Sequence, residues 1–190
     1  MKRFILSAFL AIAFFVVAFN SHAAQDSSKD EINISTPSSN KTIDYTLPYP
    51  GLLPDSPLYI LKAARDRIVS ILISGPVKKA NFNLLQADKR LNEGVFLFNK
   101  GEKKYSLGES TISKGENYFE QGISEIEKAK KQGIIVEDIS QRFHLASLKH
   151  KETIKSLIDK TRGDVRQRLI LDERRVESFE KRTNLLRQQK

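Results

Sequence analysis

The 190-residue chain has no cysteine and no tryptophan. Without cysteine there can be no disulfide, thiolate nucleophile, Cys-zinc or iron–sulfur site, or cysteine-linked lipid anchor. Three histidines in the whole chain argue against a His-rich metal site. Acidic residues are the minority, 23 Asp+Glu against 32 Lys+Arg, for a formal charge of +9. That balance permits an anionic surface or polymer as partner. The length suits one modest domain with appendages and is short for two full ones.

Long apolar runs are also scarce. After Met1-Lys2-Arg3, the stretch Phe4 to Phe19 is apolar except for Ser7, and Asn20-Ser21-His22-Ala23-Ala24 follows. A basic start, an apolar middle and small residues at a cleavage site describe a secretory signal peptide. Residues 1–23 are assigned to it, with cleavage after Ala23. The alternative is an uncleaved N-terminal anchor. Its 16 residues would make about 24 Å of helix, short of a bilayer core of about 30 Å. The expected location is extracytoplasmic, either secreted or periplasmic. Loss of Lys2 and Arg3 lowers the charge from +9 to +7. An exported chain without cysteine must be stable on packing alone, which favours helices with local contacts.

Residues 24–47 are rich in Ser and Thr and have no sustained period, and they read as a flexible polar linker. Asn33-Ile34-Ser35 and Asn40-Lys41-Thr42 match the N-glycosylation triplet, a pattern that also arises by chance. The helical domain is assigned to 48–190. It opens on Tyr49-Pro50-Gly51-Leu52-Leu53-Pro54-Asp55-Ser56-Pro57-Leu58-Tyr59. Asp55 or Ser56 is expected to cap a helix, with Pro57 in its first turn and Leu52 and Leu53 folding back as a staple. A rigid helix entry is favoured over a docking motif.

That entry, with Pro76-Val77-Lys78-Lys79-Ala80, Ala87-Asp88-Lys89-Arg90-Leu91, Lys149-His150-Lys151-Glu152 and Leu157-Ile158-Asp159-Lys160, resembles a family of exported bacterial domains of unknown function, number 5667. The resemblance covers about 48–182 and implies an extracytoplasmic helical domain. It carries no known catalytic residues. Gly75 stands where the family pattern leads to an acidic cap, and Ser74 is expected to cap instead.

The expected helices are 57–73, 76–99, 103–132, 137–160 and 164–187, forming an all-α, elongated antiparallel bundle or helical-hairpin stack. Leu61, Ala64, Ile68 and Ile71 make one stripe in the first helix, read as its core face. Val77, Ala80, Leu84, Ala87, Leu91, Gly94 and Phe98 form a heptad-like seam in the second, while Phe82, Leu85 and Phe96 widen its apolar surface. Gly94, Gly101, Gly108, Gly115 and Gly122 fall seven apart, and residues 100–112 echo 114–126. Either 76–132 is one helix with glycine in its seam, or the chain turns at Lys100-Gly101. The turn is favoured, because interior glycine costs about 1 kcal/mol against alanine. The remaining glycines would then admit a neighbouring helix closely.

In the fourth helix, Ile139, Phe143, Ala146, His150, Thr153 and Leu157 share a face. His150 reads as a partly buried packing residue, with a pH-sensitive contact as the sharper alternative. His144 lies on another face. Arg162-Gly163-Asp164 matches an adhesive tripeptide but reads as a C-cap glycine with an N-cap aspartate. The last helix places Val165, Leu169, Val176, Phe179 and Leu186 on one stripe with Asp172 and Thr183, and Glu177–Lys181 is expected as an i, i+4 pair. No nucleophile elbow, phosphate loop or metal-spaced cluster is present in the sequence. No catalytic, cofactor-binding or metal residue is assigned, no cofactor is expected, and the chain is not expected to be an enzyme. The expected function is an interaction or structural module contacting an unknown envelope protein. The alternatives are a binder of anionic membrane or wall polymer through basic faces, including the last helix, and a periplasmic chaperone or stress sensor. Nucleic acid is not an expected partner outside the cytoplasm.

Overall fold

The computed structural model describes residues 43–188, which fall in one compact unit. Its helices are α1 (Tyr59–Leu72), α2 (Pro76–Asn99), α3 (Tyr105–Lys131), α4 (Glu137–Ile158) and α5 (Gly163–Gln188), with a 3-10 turn at Glu102–Lys104. There is no strand among the described residues. The signal segment, most of the linker and both glycosylation triplets lie outside the described residues. Residues 43–47 fall within the stretch read as linker, yet Tyr45 and Leu47 pack against the core.

Glycine places the turns. The chain turns at Lys100-Gly101, where Gly101 has φ +102°, so 76–132 is not one helix. Gly133, at φ +74°, ends α3, and the Ile134 N–H reaches back to Ala129 O (3.1 Å). Both positions use a backbone region that L side chains avoid.

α2 and α3 run antiparallel, and α4 and α5 form a second antiparallel hairpin. The two hairpins stack with α2 beside α4 and α3 beside α5. These neighbours run parallel, as the pairs Asn81–Arg142 and Asp88–His150, then Glu109–Arg168 and Glu127–Arg182, make plain. The α2 seam is buried as the heptad spacing predicts, apart from a half-buried Val77. The core centres on Phe119 of α3. It stacks on Phe179 (5.3 Å between centroids) and meets Phe143 edge-on (5.1 Å). Burying each such side chain contributes about 1.5–3 kcal/mol.

The interior glycines of α2 and α3 sit where the helices touch. A Cβ on Gly94 would collide with Ile112, one on Gly115 would lie 2.9 Å from the Arg90 Cβ, and one on Gly122 would strike the Phe143 ring. The small residues therefore do admit a neighbour closely, as the spacing predicts.

The helix caps depart from expectation. α1 starts at Tyr59 with Leu58 in the N-cap position and no side-chain cap. Asp55 is committed elsewhere, to Lys100 (2.9 Å) and Lys104 (3.3 Å). Leu52 is exposed and does not close a staple. Gly75, not Ser74, occupies the N-cap of α2, and no side chain caps it. Its φ of +87° shows that the backbone bend alone decides that residue. Asp164 lies in the first turn of α5, where a carboxylate suits the positive helix end. Glu177 pairs with Lys151 across to α4 (3.3 Å) in place of an i, i+4 partner.

Candidate functional site

Two polar arrangements inside the fold bear on function. The first is centred on His150, which is fully buried and not merely a partly buried packing residue. Its Nδ1 lies 2.9 Å from Glu116 Oε1 and its Nε2 lies 2.9 Å from Asp88 Oδ1. Ionised carboxylates only accept, so the ring carries both protons. Burial alone would push this imidazole down. The charge of Glu116 and the hydrogen bonds to Asp88 and Glu116 outweigh it and raise the pKa to about 9. Phe119 packs edge-on against the ring at 5.0 Å. The Tyr45 hydroxyl donates to the other oxygen of Asp88 (2.6 Å), tying the segment before the entry motif to this centre. Asp172 of α5 is buried near Glu116 and Glu109. Burial and those two negative charges raise its pKa to about 7, against the pull of Arg175.

The second arrangement explains the entry motif. Lys62 of α1 is buried, and its ammonium donates to the carbonyls of Pro50 (2.6 Å) and Leu52 (3.1 Å) and pairs with Glu93 of α2. Glu93 also accepts from Arg90 (2.9 Å) and from the Tyr59 hydroxyl (3.1 Å). The Arg90 guanidinium sits 5.1 Å from the centre of the Tyr59 ring. The Pro50-Gly51 bend thus presents two carbonyls to one lysine, and Tyr59 completes the clasp. This is a rigid entry, and a charge holds it.

The clasp has a consequence for the surface. α1 meets the bundle through its polar side, with Lys62 and Asp66 its buried residues. The stripe of Leu61, Ala64, Ile68 and Ile71 points the other way: Leu61 is 68% exposed, Ile68 56% and Ile71 73%, Ala64 is exposed too, and Leu72 beside them is 76% exposed. Ile60 and Leu58 extend the exposed surface. Periodicity correctly groups these residues but assigns them the wrong side. The physical reason is the Lys62–Glu93–Arg90 cluster, whose buried charges must stay together once formed. A contiguous apolar helix face left in solvent marks an interaction site more often than an isolated exposed leucine does.

The other residues singled out in the sequence do not converge. His144 approaches the Thr183 hydroxyl at 3.5 Å and stays apart from the His150 centre. Arg162, Gly163 and Asp164 are exposed at the α4–α5 junction. Three arginines of α5 are engaged along the bundle: Arg168 with Glu109 (2.6 Å), Arg175 with Glu120 (3.4 Å) and Arg182 with Glu127 (2.9 Å). No cluster of three or more His, Asp or Glu suited to a metal occurs among the described residues. No helix among them is long and apolar enough to cross a membrane. The depressions on the surface are shallow, one between the α3–α4 loop and the end of α5, the other beside Phe82 and Ser124.

No curated protein and no solved structure matches the chain. The family described as Domain of unknown function (DUF5667) matches residues 51–167, a span that takes in the clasp apart from Pro50, all of α1 to α4, and the Asp88, Glu116 and His150 triad. The chain belongs to that family.

Proposed function

We propose that the protein is a non-enzymatic docking module of the bacterial cell envelope, which uses the outward apolar face of α1 to attach to an envelope component. The observation that carries this reading is the inverted burial of α1, with Lys62 and Asp66 inside and Leu61, Ile68, Ile71 and Leu72 outside. A helix that needed this face for its own stability would bury it, since apolar burial is worth about 25 cal/mol per Å². The signal-like segment at Met1 to Ala24 supports an extracytoplasmic location.

Binding of anionic wall polymer through α5 finds less support. Three of its six arginines, Arg168, Arg175 and Arg182, are paired with Glu109, Glu120 and Glu127 of α3. The test is site-specific photocrosslinking in living cells. A photoreactive side chain at Ile71 is expected to give an adduct in the envelope fraction, and one at the exposed Leu171 of α5 is expected to give none. Equal labelling at both positions, or none at Ile71, would refute the reading.

A further inference from the structure

The charge around the α1 face identifies what it docks on. From Ser56 to Ala87 the chain has one acidic residue, Asp66, and five basic ones: Lys62, Arg65, Arg67, Lys78 and Lys79. Asp66 and Lys62 are buried. The surface that remains is apolar and cationic. Arg65 interrupts the apolar arc with a side chain 62% exposed but is paired with Asp66 Oδ1 through two N–H groups (2.8 and 3.1 Å), Arg67 is exposed on the edge of the arc, and exposed Lys78 follows on the first turn of α2. A protein partner with a purely apolar groove would have to desolvate Arg65, at a cost in binding. A bilayer surface does not ask for that. Isoleucine and leucine sink to the acyl boundary, and arginine extends to the headgroup phosphates.

We propose that α1 is a membrane-surface helix, which lies in the headgroup region of an anionic bilayer with Leu61, Ile68, Ile71 and Leu72 inward and Arg67, with Lys78 beside it, on phosphate. This rests on the docking reading above and names its partner. The clasp suits the task. With Lys62 bound to Pro50, Leu52 and Glu93, α1 is held with its apolar side outward and is already helical before it meets lipid. An unstructured peptide must pay the ordering entropy on binding, and this helix is spared most of it.

The experiment is vesicle co-sedimentation with the chain lacking residues 1–23, which retains the whole described domain. The probes are phosphatidylcholine vesicles with and without phosphatidylglycerol. Sedimentation with the phosphatidylglycerol vesicles is expected, with affinity falling at least about tenfold when NaCl is raised from low to moderate concentration. Ile68→Glu should abolish it. Arg67→Gln with Lys78→Gln should reduce binding to anionic vesicles to the level seen with neutral ones. All three positions are exposed, so helical circular dichroism should be unchanged in each variant. If the wild-type chain binds neither vesicle but self-associates through a contact that Ile68→Glu removes, the lipid proposal falls and docking survives with a second copy as partner. If wild type and Ile68→Glu sediment equally with vesicles, both the lipid proposal and the α1 reading fall.

Discussion

His150 is a buried cation between two buried anions, and its removal should be costly. His150→Ala leaves Asp88 and Glu116 in the core without the charge that compensates them. Loss of one partner from a buried ionic group typically costs about 3–5 kcal/mol. A urea unfolding curve of the variant should show that loss. The pH dependence follows from the same geometry. The pKa of His150 is raised from 6.5 to about 9, so its contribution is complete below 6.5 and disappears as pH rises through about 9. That of Asp172 is raised from 3.8 to about 7, so the neutral form is favoured in the fold and stability is lost as pH rises through about 7. Both act in the same direction, and the urea midpoint should fall from slightly acidic to alkaline pH. Asp172→Asn keeps a neutral side chain of similar shape. It should raise the midpoint above about pH 8 and remove the part of the slope that belongs to Asp172. A variant with an unchanged slope would show that Asp172 is not the titrating group.

At the level of elements, the interior glycines of α2 and α3 are positions of contact. Alanine at Gly94 gains about 1 kcal/mol in helix propensity but forces its Cβ into Ile112 and to within 3.0 Å of the Gly108 carbonyl. Overpacking of this kind typically costs about 1–3 kcal/mol. Gly94→Ala is therefore expected to lower the thermal midpoint in a thermal unfolding scan. α1 stands apart from the other helices because a few polar groups hold it. Lys62→Ala removes the donor to Pro50, Leu52 and Glu93. Amide exchange over 59–72 should then accelerate about tenfold or more, equivalent to about 1.4 kcal/mol. The amides of α3 should change far less.

These elements also show what sequence periodicity can and cannot tell. The helix spans agree to within about two residues, since 3-4 spacing and glycine breaks are local signals. The seam of α2 and the stripes of α4 and α5 point inward as read. Periodicity says which residues share a face, and it leaves the direction of that face to the rest of the fold. In the other helices the apolar face has a partner. In α1 the partner is a pair of carbonyls and a carboxylate 31 residues away, which bind the opposite side. The His150 centre was hidden for a similar reason: Asp88 and Glu116 lie 62 and 34 residues distant. A usable signal did exist. A histidine on an otherwise apolar stripe needs polar partners, and Asp88 and Glu116 stand beside the seam residues Ala87 and Gly115.

Across the whole domain, charge is used in two ways. The ion pairs of α5 are partly exposed, with arginine side chains 32–42% accessible. Such pairs are worth about 0–1 kcal/mol each and are screened by salt. The Phe119 cluster and the His150 centre are enclosed and feel salt far less. Raising NaCl to about 0.5 M should therefore shift the urea midpoint only slightly. A large loss of stability would mean that the peripheral ladder, and not the interior, holds the two hairpins together.

The Tyr45–Asp88 bond bears on where this domain starts. The family match begins at residue 51, and Tyr45 lies upstream of it. A protein trimmed to the matched span would keep all of α1 to α4 and the clasp without its Pro50 carbonyl. It would also lose the hydroxyl that occupies one oxygen of Asp88, alongside the α5 side chains that close the core. The packed domain of this chain is therefore larger than the stretch by which its family is recognised, and upstream it reaches at least to Tyr45.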